Sequence, residues 1–140
     1  MNEKPTGIEK RKFKRVKVSF TVVYEVNSPL SVRMKVNNKE VNAIALDLSE
    51  GGIAVLTSYD IPKLTSVKVK FIIFNENAIN NERRSRSIEV KGDVRYSILT
   101  KEKAFRIGIC FVDISSEDRI FIADFVKMLI TRVLRQDVDG

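Results

Sequence analysis

Histidine is absent from the 140-residue chain. That removes both the side chain most used for acid–base chemistry at neutral pH and the commonest metal ligand. Cysteine occurs once, at Cys110, so no internal disulfide can form, and a zinc or transition-metal site would need a nearly all-carboxylate donor set, which those metals disfavour. Cys110 falls inside the apolar run RIGICF, where a buried thiol acts as a small hydrophobe. No apolar stretch approaches the roughly 18 to 20 residues that a bilayer-crossing helix needs. The amino-terminal MNEKPTGIEK lacks the apolar centre of a secretory signal, so the expected location is the cytoplasm. No nucleophile with a companion base is recognisable, which argues against an enzyme.

What is present is ordinary globular composition, 44% hydrophobic and 31% charged over 140 residues, and the expectation is a single domain spanning residues 1–140. A formal charge of +7 favours anionic partners: nucleic acid, a nucleotide or an anionic membrane surface.

From Val16 the pattern has period two. Val16, Val18, Phe20, Val22, Tyr24 and Val26 share one face, and Lys17, Ser19, Thr21 and Glu25 the other, which predicts a half-buried strand. Asn27 to Pro29 breaks it. Val32, Met34 and Val36 resume alternation up to Asn37-Asn38, a pair that tolerates positive φ, so a second strand and a hairpin turn are expected there. Further strands are predicted at 41–48, 53–57, 67–73, 88–98, with Gly92 as a bulge or bend, and 105–112. The polar NENAINNERRSRS from Asn75 reads as a long exposed loop, with Arg83, Arg84 and Arg86 in solvent. Beyond it the period changes. Ser115 is placed to cap a helix with Asp118 in its first turn, and Ile122, Phe125, Val126, Leu129 and Val133 recur at helical spacing. The polar stripe of this helix, Asp124, Lys127, Thr131 and Arg135, is narrow, so its apolar surface needs wide cover, from a barrel face and, as a homodimer, from a second subunit. Patterning alone fits an antiparallel barrel or a sandwich, closed by one helix.

Two short stretches carry chemistry. In IEKRKFKRVKVSF, Arg11 and Arg15 are spaced so that they can embrace one mid-sized ligand, about 13 Å apart on an extended chain or adjacent on a helical turn. An arginine fork bonds two acceptors at once, pairs with phosphate and stacks on flat rings. The O6 and N7 atoms of guanine are such a pair of acceptors. The second stretch is DLSEGG, with Asp47, Ser49, Gly51 and Gly52 at a strand end. A carboxylate accepts from the Watson–Crick edge of guanine, a hydroxyl donates to phosphate, and glycine lets the backbone come close to a ligand. The same residues also make ordinary turn chemistry.

An RxxxR just ahead of the first strand, followed by a DxSxxG at the end of another, resembles the PilZ domain, the bacterial receptor module for cyclic di-GMP. Here the motifs read Arg11-Lys12-Phe13-Lys14-Arg15 and Asp47-Leu48-Ser49-Glu50-Gly51-Gly52. GDVRYS and AFRIGICFVDISSEDRIFIADFV look like later parts of the same family. The resemblance implies an antiparallel, six- to seven-stranded split β-barrel over residues 16–114 and a C-terminal helix over 115–135, preceded by a basic arm over 1–15 whose charge, Pro5 and Gly7 predict flexibility. It implies that Arg11 and Arg15 grip guanine and phosphate from the arm, that Asp47 and Ser49 hold guanine edge and phosphate from the barrel, and that Gly52 keeps the turn compact. Lys10, Lys14, Gly51 and Arg95 are secondary candidates. Arg95 and Tyr96 lie in a strand expected to border the site, although alternation alone makes Tyr96 core and Arg95 exposed. No cofactor is implied beyond the ligand, held as one molecule or as an intercalated pair. Ordering of the arm would change the surface shown to an effector protein. The alternative is a small basic barrel that binds RNA or single-stranded DNA, against which most aromatics sit at core-phased positions.

Overall fold

A computed structural model of the protein describes residues 13–75 and 85–139. Six strands, β1 (Val16–Ser28), β2 (Val41–Ser49), β3 (Gly52–Thr57), β4 (Ser66–Phe74), β5 (Ser85–Leu99) and β6 (Phe105–Asp113), form a closed antiparallel barrel in the order β1-β2-β3-β6-β5-β4. Closure follows from the length of β1, whose first part pairs with β2 and whose second part pairs with β4. Each strand thereby has a neighbour on both sides over part of its length, which shortens the edges exposed to another chain.

The core is what period-two patterning dictates. Val22, Tyr24 and Val26 of β1, Val67, Val69 and Phe71 of β4, Ile88, Val90 and Val94 of β5 and Ile107 and Ile109 of β6 all point inward. Tyr24 buries its polar end too, and its hydroxyl shares a hydrogen bond with Thr57 Oγ1 at 2.8 Å. Burial pushes this phenol up to about 12.

The segment expected to be a second strand is instead a short helix, α1 (Leu30–Lys35). Apolar residues at positions i, i+2 and i+4 fit a strand, but the first and last also share one face of a helix. The structure uses that second option, burying Val32 and Val36 and leaving Met34 exposed. Pro29 supports it, since its carbonyl accepts from Val32 N and Arg33 N, each at 3.1 Å. Asn37 and Asn38 do adopt positive φ, 62° and 55°, but they stop a helix rather than turn a hairpin. Asn38 N donates to Arg33 O at 2.8 Å.

The long helix α2 (Ser116–Asp139) packs on β1, β2 and β4. Ser115 Oγ accepts from Asp118 N at 3.1 Å, the capping geometry that the sequence predicts. Ile122, Phe125, Val126 and Met128 are buried beneath it, whereas Val133 and Leu134 are exposed. Arg86 is not a loop residue. It lies in β5, and its Nε donates to Asp118 Oδ1 at 2.7 Å with Glu117 beyond it, fastening the strand to the first turn of α2. Arg83 and Arg84 lie outside the described residues. Among the described residues, no helix is long and apolar enough to cross a membrane.

Candidate functional site

The site is built on the outer face of the β3–β6 pair. Strand register sets one row across the sheet, Asp47 opposite Ala54, Ala54 opposite Gly108 and Gly108 opposite Tyr96. A second row runs from Ser49 to Gly52, Cys110 and Asp93. The middle of both rows is therefore Ala, Gly, Gly and Cys, a floor of small side chains with taller residues on either side. Two of these positions have no room for more. A Cβ on Gly52 would overlap the Ile109 carbonyl oxygen, and one on Gly108 would overlap the Tyr96 ring.

Both walls are set by irregularities in pairing. Register shifts between Ala45 and Asp47 on β2, and between Val94 and Tyr96 on β5, leave Leu46 and Arg95 as extra residues. A bulge of this kind breaks strict alternation and re-aims the residues beside it. Val94 stays fully buried, while Arg95 and Tyr96 both line the groove. Tyr96 is therefore not core, contrary to the alternation reading.

The resulting groove has a volume of about 340 Å³. It brings together Arg15, Asp47, Ser49, Gly51, Gly52 and Arg95. Lys14 is exposed and stands outside the lining. Arg11 and Lys10 lie outside the described residues. Cys110 is half-buried and lines the groove, with Arg95 Nη2 at 3.5 Å from its sulfur, so it is not the inert core thiol expected.

Ser49 is buried, and its Oγ accepts from Gly51 N at 3.1 Å. This is turn chemistry, and it leaves the hydroxyl proton with only a 3.5 Å approach to Gly52 O, at the outer limit of a hydrogen bond. The proton is thus available to an acceptor in the groove.

Sequence reading missed two residues. Phe13, between the motif arginines, lays its ring on Gly51 and lines the groove. The guanidinium carbon of Arg119, in the first turn of α2, stands 5.6 Å from the centre of that ring, a cation–π distance. The other is Arg106 of β6. Its Nη2 donates to Asp47 Oδ2 at 2.5 Å and its Nε to the Tyr96 hydroxyl at 3.3 Å. Burial alone would lower the pKa of Arg106, but Tyr96 and Asp47 more than offset it and hold it above the ordinary value. With Asp47 paired in this way, Arg15 and Arg95 leave the groove positive and suited to an anion. Among the described residues, no group of carboxylates and thiol is placed to hold a metal ion.

The architecture is shared with solved structures. MotI/DgrA, an inhibitor of motility from Bacillus subtilis, superposes with a TM-score of 0.64 at 18% identity, over 89% of this chain and 52% of that one. The chain thus spans about half the length of that protein. The PilZ domain of YcgR from Escherichia coli, solved with c-di-GMP, superposes with a TM-score of 0.59 at 11% identity over 94% of this chain and 98% of that one. The PilZ domain of CeSA from a cellulose-synthesizing bacterium gives 0.54 at 14% identity, over 83% and 97% of the two chains. No curated protein matches in sequence. The sequence model of the PilZ domain matches residues 9–128, a span that takes in both motifs, all six strands and the buried part of α2. The chain belongs to the PilZ domain family.

Proposed function

We propose that this protein is a receptor for cyclic di-GMP and performs no chemistry on it. The observation that carries this reading is the convergence of Arg15, Asp47 and Ser49, from separate parts of the sequence, on one positive groove. The YcgR domain solved with c-di-GMP supports it. Arg15, with Arg11 from the arm, pairs with phosphate and with the O6 and N7 acceptors of guanine. Asp47 accepts from the N1 and N2 hydrogens of guanine, and the Ser49 hydroxyl donates to phosphate. Gly52 and Gly51 let the ligand approach the backbone, and Arg95 closes the far wall. Each charge-assisted bond contributes about 1.5 to 3 kcal/mol, against which stands the cost of fixing the arm.

Bound ligand would hold residues 1–15 across the rim and change the surface offered to an effector protein. A second copy covering the outer part of α2, where Val133 and Leu134 are exposed, is part of the same proposal, and sedimentation at a monomer's mass would remove that part alone. The receptor reading is tested by melting the protein with cyclic di-GMP or single-stranded RNA at two salt concentrations. A ligand at about a hundred times its dissociation constant stabilises the fold by about 2.7 kcal/mol. The expected result is a rise in Tm with the dinucleotide that salt only weakly erodes. Stabilisation by RNA alone, steeply lost with salt, would mark a polyanion contact instead.

A further inference from the structure

We propose that Arg106, which lies outside both motifs, is a positioning residue that sets the preference of this groove for guanine. The inference rests on the receptor reading above and assigns the origin of its base selectivity. Register puts Asp47 and Tyr96 at opposite ends of one row, separated by Ala54 and Gly108, so no side chain on the floor can hold either of them. Arg106 enters from the neighbouring row, opposite Leu56 and Ile98, and bridges the gap to both. Because a guanidinium is rigid and planar, bonding Tyr96 through Nε fixes the direction in which Nη2 meets the carboxylate.

The Asp47 side chain is only 15% exposed, so its orientation matters. Oδ2 already accepts from Arg106, so that bond sets the direction in which the carboxylate meets the N1 and N2 hydrogens of a base. Guanine presents N1–H and a 2-amino group to such an acceptor, hypoxanthine keeps N1–H but lacks the amine, and adenine presents a bare N1 lone pair that a carboxylate repels. Discrimination among the three therefore depends on a carboxylate held in one orientation. Without Arg106, a largely covered carboxylate would turn toward another cation, and Arg15 and Arg95 are the ones that line the same groove.

The test is calorimetric titration of the full chain and its variants with cyclic di-GMP, its inosine analogue cyclic di-IMP, and cyclic di-AMP. In Arg106→Gln, affinity for cyclic di-GMP falls about tenfold or more while affinity for cyclic di-IMP falls much less, so the ratio between them collapses. Arg106→Lys, which keeps the charge but not the fork, lies between. In an Asp47→Ala background Arg106→Gln has little further effect, because one residue acts through the other. If Arg106→Gln proves too unstable to titrate, Tyr96→Phe removes only the hydroxyl anchor and must still narrow the ratio. An equal loss for both ligands, or additivity with Asp47→Ala, would overturn the assignment and leave the receptor reading standing. A wild-type protein that binds none of the three would overturn both.

Discussion

Phe13 and Gly51 touch so closely that a Cβ on Gly51 would lie 2.5 Å from the Phe13 ring. The contact joins the segment that carries Arg15 to the β2–β3 turn, and it makes neighbouring glycines respond differently to substitution. Gly51→Ala meets the far end of a side chain that can swing, so Tm should change little while ligand affinity drops as Phe13 and Arg15 are displaced. Gly52→Ala meets the Ile109 backbone oxygen, and β3 cannot pair with β6 without shifting. Overpacking of that kind costs about 1 to 3 kcal/mol, and Tm should fall several degrees before ligand is added. Thermal melts of both variants, without and with cyclic di-GMP, distinguish the two.

Arg119 also stands over the Phe13 ring, so Phe13 is in contact with α2 as well as with the barrel. An exposed cation–π contact is worth roughly 0.5 to 1 kcal/mol. Arg119→Ala should weaken cyclic di-GMP binding by a few-fold with little change in Tm, read by titration. Arg119→Lys should recover part of the loss.

The barrel was largely legible because its interior positions alternate without interruption, as in Val22, Tyr24 and Val26, and α2 because Ser115 caps it. Three features were hidden for physical reasons. A short apolar trio fits two periods, so Val32 and Val36 could be read as strand until Pro29 and the asparagines are seen to close a helix around them. A bulge is a property of two strands, not one, so nothing local to Tyr96 shows that Arg95 will turn it toward the groove. Arg106 carries no local signal, because its partner Asp47 is 59 positions away. The spacing of the motifs pointed to Asp47, Ser49 and Gly52, but it could not show that Asp47 already holds a partner.

Tyr24 gives the barrel a pH dependence at the alkaline end. Its phenol is raised from 10.0 to about 12, by burial first, with the Thr57 hydrogen bond pulling the other way. A group whose folded pKa lies above its unfolded one stabilises the fold fully below the unfolded value and loses that contribution as pH rises through the folded value. Stability should thus decline between about pH 10 and pH 12, by about 2 to 3 kcal/mol at 1.36 kcal/mol per pKa unit. Tyr24→Phe should cost about 1 kcal/mol at neutral pH through the lost bond to Thr57, yet flatten the alkaline decline. Urea unfolding of both proteins across that range checks the sign and the size.

Arg86 joins β5 to the start of α2 through Asp118, a bond that is partly shielded from water. Arg86→Ala should lower stability by about 1 kcal/mol and leave cyclic di-GMP affinity almost unchanged, since Arg86 is not part of the groove lining. Denaturant midpoints and a titration of the same sample test both halves.

The central claim is that arginine from the arm and acid from the barrel rim meet on one nucleotide. Isothermal titration with cyclic di-GMP, run on the wild type, Arg15→Ala and Asp47→Ala, measures it most directly. Saturable binding by the wild type is expected, with an affinity at least about tenfold weaker in each variant, the loss expected for a hydrogen bond to a charged group. Absence of heat and of any shift in Tm for the wild type, or variants that bind as tightly as it does, would contradict it.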